Sequence, residues 1–220
     1  MASTTPLVRI QQNLLARQER RLLTWICARL PAWVTPDKLT SLALSASVLI
    51  FAGYALSGLG RDWLWLSVAG YFLHWFGDSL DGSLARFRSI ERPRYGYFVD
   101  HSADVMGALF IVGGIGLTPY VRLDVALLAL AGYYMLAAHA FLSARVVGEL
   151  NLTYVSAGPT ELRLMLIGLT VAMWLFGNRD IQVWGFGMFD LFTGAVAIAL
   201  IALFVVQTIR ITRRLAKEGE

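Results

Sequence analysis

The chain is poor in cysteine and in charged side chains. Its 220 residues include one cysteine, Cys27, so an intramolecular disulfide is excluded, and a lone thiol is more typical of a small apolar helix residue than of a nucleophile. Only 15% of the residues are charged and 57% are hydrophobic, whereas soluble domains carry about 25% charged residues. Residues 1–12 lack a basic stretch leading into an apolar segment, so we expect no cleavable signal peptide. The composition, with a mean hydropathy of +0.59, predicts a polytopic membrane protein.

The apolar residues fall into six runs of roughly the length that a bilayer requires. They lie near residues 39–59, 63–80, 97–118, 123–143, 162–177 and 188–209. We therefore predict an all-α integral membrane fold with six transmembrane helices, preceded by an N-terminal amphipathic interfacial helix. The predicted organisation is an interfacial segment over residues 1–34, a six-span membrane domain over 35–210 and a tail over 211–220.

The basic residues are distributed unequally about these spans. If both termini lie on one side, that side holds all of the 19 Lys and Arg residues except Arg61, Arg122 and Arg179. The positive-inside rule then predicts that both termini are cytoplasmic. The net charge of +4 is explained by this topology and by contact with anionic lipid, so no nucleic-acid partner is expected.

The segment before the first span has a mixed pattern. Residues 7–30 alternate apolar side chains with Gln and Arg, and they lack an apolar core of about 20 residues. This pattern predicts an amphipathic helix on the inner leaflet, and a solvated helical arm is the alternative. Thr35 and Pro36 then predict a helix start, with Thr35 as the cap and Pro36 at the first helical position.

Four aspartates flank the loop between the second and third spans. Asp78 and Asp81 are three residues apart, and Asp100 and Asp104 are four residues apart, so each pair lies on one helix face. The predicted topology places all four carboxylates at the same cytoplasmic depth. A carboxylate near a bilayer core is costly and needs a partner. Hard divalent cations prefer carboxylate oxygens, so the pattern indicates a metal site suited to phosphoryl transfer.

These residues resemble the signature of the CDP-alcohol phosphotransferase family of membrane enzymes, D-x2-D-G-x2-A-R-x8-G-x3-D-x3-D. Every defined residue type of the signature is present between Asp78 and Asp104. The one departure is a spacing of nine residues, rather than eight, between Arg86 and Gly96. A polar loop accommodates one extra residue at little cost.

The resemblance implies roles for the signature residues. The four aspartates would bind Mg²⁺ or Mn²⁺, as a centre of two ions, and Asp104 would also be the general base for the acceptor hydroxyl. The CDP moiety would be bound by the remaining signature positions, Gly82, Ala85, Arg86 and Gly96. A weaker match, Pro36-Asp37-Lys38-Leu39-Thr40 against P-N-x-L-T, implies a cytidine contact for Thr40, for which a local capping role is an equal alternative.

Other polar residues are predicted near the same membrane face. His101 lies between two of the aspartates and is either a substrate contact or a hydrogen-bonded helix residue. Arg145, Glu161 and Arg163 flank the next loop on that side, and they are expected either to bind the acceptor or to anchor the loop.

The resemblance implies an enzyme of phospholipid synthesis that releases CMP, with membrane lipids as neighbours. We favour CDP-diacylglycerol as donor and a polar alcohol or polyol phosphate as acceptor. The alternative pairs CDP-choline or CDP-ethanolamine with diacylglycerol, and His101 favours it. Two other classes stay open, a divalent-cation transporter and a lipid-binding scaffold without activity. The glycines Gly113, Gly114 and Gly116 predict close helix packing and a homodimer contact.

Overall fold

The computed structural model describes residues 8–10, 16–147, 149–151, 159–177 and 185–218. Within them lie seven α-helices: α1 (Ala16–Cys27), α2 (Pro36–Leu56), α3 (Leu64–Phe87), α4 (Pro93–Gly116), α5 (Leu123–Val146), α6 (Pro159–Phe176) and α7 (Met188–Glu218). Two short strands, β1 (Val8–Ile10) and β2 (Glu149–Asn151), pair in parallel. The predicted helical fold is therefore confirmed, apart from these two strands.

Each of the six predicted spans overlaps one helix from α2 to α7, with ends that differ by up to three residues where a span extends beyond its helix. Four of these helices, α2, α4, α5 and α7, are long and apolar enough to cross a membrane, with mean hydropathies of 1.8, 1.4, 1.8 and 2.4 over their most apolar windows. The shorter α6 and the acid-bearing α3 are not among the four. The protein is thus a multi-pass membrane protein, while the full number of six spans stays a prediction.

The helices α2 and α3 pack closely and place the end of α3. A Cβ atom on Gly77 would lie 2.5 Å from the Leu39 carbonyl oxygen and 2.7 Å from the Ala43 backbone nitrogen, so only glycine permits this approach. As predicted, Thr35 caps α2 by accepting a hydrogen bond from the Lys38 backbone nitrogen, and Pro36 begins the helix. The α2–α3 contact therefore fixes the turn of α3 that follows Gly77.

The N-terminal helix is shorter than predicted. The structure has a strand over Val8–Ile10, so the prediction of one helix over residues 7–30 is wrong at its beginning, and α1 covers only Ala16–Cys27. The strand forms because its backbone groups pair with Glu149–Asn151. Leu23 and Cys27, four residues apart, are buried against the rest of the chain, which confirms the apolar role of the cysteine.

An arginine at the end of α3 fastens the turn that joins α1 to α2. The Arg88 guanidinium donates hydrogen bonds to three carbonyl oxygens of that turn, those of Leu30, Pro31 and Val34. Carbonyl groups at a helix end lack partners within the helix, so a cation is favourable there. The interfacial segment is therefore attached to the same end of α3 that carries the aspartates.

The glycines near the end of α4 pack within the chain. A Cβ atom on Gly114 would lie 3.1 Å from Phe51 Cα, and one on Gly116 would lie 2.9 Å from Ala126 Cβ. Close packing is thus confirmed for these two glycines. A Cβ atom on Gly113 would meet no atom within 4 Å in the described part of the chain. The homodimer stays a prediction.

Candidate active site

Three carboxylates meet where α3 ends and α4 begins. Asp78 lies in the last three turns of α3, and Asp100 and Asp104 lie in successive turns on one face of α4. One carboxylate oxygen from each of the three lies within 4.8 Å of the others. Like charges at this separation repel one another, and a divalent cation with oxygen ligands relieves the repulsion. The three side chains therefore fit a Mg²⁺ or Mn²⁺ ion.

The fourth aspartate of the signature has different partners. Asp81 is buried, and its Oδ2 accepts a hydrogen bond of 2.7 Å from Thr40 Oγ1. Its Oδ1 accepts one of 2.5 Å from the Gly82 backbone nitrogen. Asp81 lies within electrostatic range of Asp78 and Asp100, although it is not one of the three clustered carboxylates. Its assignment as a metal ligand stays a prediction, and so does the cytidine contact of Thr40.

An arginine and a histidine complete the surroundings of Asp78. Arg163 Nη2 donates a hydrogen bond of 2.8 Å to Asp78 Oδ2 and also lies 3.1 Å from His74 Nδ1. The arginine is 9% exposed, and its Nη1 has no hydrogen-bond partner in the described part of the chain. A buried guanidinium group with a spare donor is suited to an anion. Sequence reasoning missed His74, although its position one turn before Asp78 places both side chains on the same face of α3.

The signature residues predicted to bind CDP lie along the end of α3 and the start of α4. The Arg86 side chain folds back over Gly82, since a Cβ atom there would lie 3.3 Å from Arg86 Nη1. At Gly96 a Cβ atom would meet nothing within 4 Å among the described residues, and the partly buried Ala85 lies one residue before Arg86. The open space beside Gly96 and the exposed guanidinium group of Arg86 are compatible with a nucleotide diphosphate.

The remaining predicted residues occupy different surroundings. The His101 ring stacks on Tyr97 at a centroid distance of 4.2 Å, and Nδ1 lies 2.8 Å from the Tyr97 carbonyl oxygen, so the hydrogen-bonded alternative describes this nitrogen. The same ring meets Phe141 edge-on. The Arg145 side chain is exposed at the end of α5, whereas Glu161 is partly buried in the first turn of α6, near Arg163. Of the residues predicted for the acceptor, Arg163 forms an ion pair of 2.8 Å with Asp78, and His101 Nδ1 lies 3.9 Å from Asp100 Oδ2.

Comparison with known families agrees with this geometry. The model of the CDP-alcohol phosphatidyltransferase family matches residues 33–212, which include α2 to α6 and most of α7. The chain belongs to this family. By its description, the family comprises transferases of the phosphatidyl group of CDP-alcohols. This match favours a transferase over the divalent-cation transporter, whereas the inactive, lipid-binding scaffold stays an alternative.

A curated relative matches part of the chain. Cholinephosphotransferase 1 of Danio rerio is 29% identical over 96 residues, which are 41% of this chain. The matched region is 25% of the relative's length, so the chain corresponds to about a quarter of that protein. The family uses a divalent metal, and the cluster of Asp78, Asp100 and Asp104 fits such an ion.

Proposed function

We propose that this enzyme transfers the phosphatidyl group of CDP-diacylglycerol to a hydroxyl group of a polar alcohol or polyol phosphate and releases CMP. The observation that carries the proposal is the convergence of Asp78, Asp100 and Asp104 within a family of CDP-alcohol transferases. The three residues would hold Mg²⁺ or Mn²⁺, with Asp81 as a further ligand if two ions bind. When bound, the metal supplies Lewis-acid stabilisation of the charge that develops on the diphosphate.

The protein's own residues then handle the nucleotide and the proton. Arg86, together with the small residues Gly82 and Ala85 and the open space beside Gly96, would bind the CDP moiety, and Thr40 would hold Asp81 in place. Asp104 accepts the proton of the acceptor hydroxyl group. The acceptor oxygen forms a bond to the phosphorus that carries the diacylglycerol, and the bond from that phosphorus to the CMP oxygen breaks, so CMP leaves with the electron pair.

The choice of acceptor rests on Arg163. Its guanidinium group is buried beside Asp78, and Nη1 has no hydrogen-bond partner in the described residues. A buried donor of this kind is costly unless a ligand pairs with it. A phosphate group on the acceptor would pair with Nη1 while the hydroxyl group of the same molecule faces Asp104, and Glu161 and Arg145 would border this pocket.

A second candidate function has its own support. The Danio rerio relative is, by its name, a cholinephosphotransferase, and His101 lies between Asp100 and Asp104 in the sequence, with Nδ1 3.9 Å from Asp100 Oδ2. This function would use CDP-choline or CDP-ethanolamine as donor and diacylglycerol as acceptor. His101 would then contact the diacylglycerol hydroxyl group through Nε2, because Nδ1 faces the Tyr97 carbonyl oxygen.

The positive-inside pattern supports an enzyme whose termini and site face the cytoplasm. In that orientation water-soluble substrates reach the site from the cytoplasm, and lipid substrates reach it from the inner leaflet. We also propose a homodimer contact at Gly113, because a Cβ atom added there would meet no described atom within 4 Å on the surface of α4.

The test measures CMP release by the purified protein in lipid nanodiscs. CDP-diacylglycerol is supplied with a polar alcohol (serine or inositol) or with a polyol phosphate (glycerol phosphate or inositol phosphate), and CDP-choline or CDP-ethanolamine is supplied with diacylglycerol, each with Mg²⁺, Mn²⁺ or a chelator. We expect metal-dependent CMP only with CDP-diacylglycerol and a polyol phosphate. CMP from CDP-choline and diacylglycerol would establish the second candidate, and no metal-dependent CMP from any pair would overturn both.

A further inference from the structure

One carboxylate of the interfacial helix reaches the transmembrane helices. Glu19 of α1 is partly buried, and its Oε1 accepts a hydrogen bond of 2.9 Å from Trp75 Nε1 on α3. The same oxygen accepts one of 2.9 Å from Thr160 Oγ1 on α6 and lies 3.4 Å from Ser79 Oγ on α3. A single carboxylate oxygen thus joins three helices.

Attachment of α1 does not require this carboxylate. Leu23 and Cys27 already bury one face of α1 in an apolar cluster, and Arg88 fastens the turn that follows. Turning a carboxylate toward the protein costs desolvation energy, which hydrogen bonds from several donors offset. Glu19 lies four residues before Leu23, on the same helix face, and therefore fixes where α1 meets its neighbours.

The turns that Glu19 joins also carry the proposed active site. Trp75 lies one turn before Asp78 on α3, and Thr160 lies one turn before Arg163 on α6. The Arg163 guanidinium group donates a hydrogen bond of 2.8 Å to Asp78 Oδ2. The contacts therefore form a closed ring, which runs from Glu19 along α3 to Asp78, across to Arg163, and back along α6 to Glu19.

The start of α6 is bonded to α1 through Thr160 and Glu19. Helix α6 begins at Pro159, and an acidic group near a helix N-terminus is electrostatically favourable. The carboxylate of Glu19 bonds a side chain of this first turn, Thr160, and its charge has the favourable sign for that helix end. Without it, the first turn of α6 would lose its bond to α1 and would keep the bonds of Arg163 to Asp78 and His74 on α3.

We propose that Glu19 is a positioning residue, which holds the first turn of α6 against α3 so that the Arg163 guanidinium group stays on Asp78. Glu19 touches none of the reacting groups. The catalytic consequence rests on the proposed function, since Asp78 and Arg163 belong to the proposed site. A displacement of a catalytic group by about 1 Å is enough to reduce turnover by roughly 10²-fold.

The test compares three substitutions on α1. Glu19→Ala removes every bond, so kcat falls by about 10- to 100-fold while the KM for the CDP-alcohol stays unchanged. Glu19→Gln keeps a carbonyl oxygen that accepts the same bonds, so it restores kcat to within about threefold of the wild type. Gln18→Ala is the matched control, because this side chain is exposed on the same helix. Wild-type kcat in Glu19→Ala would overturn the proposal, and so would failure of the Gln variant to restore kcat.

A double variant separates positioning from a general loss of folded protein. If Glu19 acts through Arg163, then Glu19→Ala has no further effect on kcat in an Arg163→Ala background, and the two losses of Tm are also less than additive. Additive losses in both measurements would overturn the inference. If the wild-type chain releases no CMP with any substrate pair, the proposed function fails. The Tm comparison alone then decides whether the Glu19 contact and the Arg163 contact belong to one network.

Discussion

Carboxylates at the two ends of the helical bundle are held in opposite ways. At one end Asp190, in the first turn of α7, is 6% exposed and accepts hydrogen bonds from two backbone nitrogens, at 2.7 Å from Arg122 and 2.9 Å from Gly187. At the other end the oxygens of Asp78, Asp100 and Asp104 converge within 4.8 Å of one another. The Asp190 carboxylate faces backbone amides, whereas the three clustered carboxylates face one another.

The difference separates a structural carboxylate from a functional one. Backbone amides stabilise the charged form of a carboxylate and tie two segments together, which is all that Asp190 needs to do. Three carboxylates that face one another gain nothing for the fold from their mutual repulsion. Such an arrangement is retained where a cation or a substrate compensates for it.

Removing the proposed base should have the largest effect. Asp104→Asn keeps the size of the side chain but cannot accept the proton, so turnover should fall by about 10²- to 10⁴-fold. Its Tm should equal or exceed that of the wild type, because one of three repelling charges is gone. CMP release and thermal unfolding measure the two effects. Undiminished turnover would remove Asp104 as the base and would erase the contrast with Asp190.

Removing the structural carboxylate should affect stability instead. Asp190→Ala leaves two partly buried backbone amides without this partner, so the free energy of unfolding should fall by about 1–3 kcal/mol while turnover per folded molecule stays near the wild-type value. Asp124→Ala is the matched control, because Asp124 is exposed at the same end of the bundle and should change little. A catalytic defect in Asp190→Ala that exceeds its loss of folded protein would contradict the comparison.

Asp81 shares features with Asp190 and with the clustered aspartates, so substitutions near it test the comparison further. Both of its oxygens accept hydrogen bonds, as those of Asp190 do, yet it lies beside the cluster. Thr40→Val removes one of these bonds and should lower the free energy of unfolding by about 1–2 kcal/mol, with less than about tenfold loss of turnover. Thr40→Ser, which keeps the hydroxyl group, is the control. A loss of turnover as large as that of Asp104→Asn would place Thr40 in contact with the substrate.

Local sequence patterns predicted the helices α2 to α7 and the aspartates of the site, but not the contacts that support those aspartates. Apolar runs located α2 to α7, and Thr35 with Pro36 located the start of α2, because these signals depend on neighbours within one or two turns. The spacing within each aspartate pair likewise determines which side chains share a helix face. The helix predicted over residues 7–30 is wrong at its beginning because Val8–Ile10 pairs with a strand more than a hundred residues away, Glu149–Asn151.

The supporting contacts of the site depend on how distant helices meet. The bond between Arg163 and Asp78 joins residues that are 85 positions apart, and that between Glu19 and Thr160 joins residues that are 141 apart. No periodicity within a single helix contains this information. His74 is the exception, since its position four residues before Asp78 was visible in the sequence.

Metal binding by the purified protein tests the central claim most directly. Mn²⁺ titration followed by electron paramagnetic resonance needs no substrate and reports bound ions separately from free ones. Saturable Mn²⁺ binding should be present in the wild type and in Asp190→Asn, and it should be lost when Asp78, Asp100 and Asp104 are all replaced by Asn. Equal Mn²⁺ binding by the triple variant and the wild type would contradict the account.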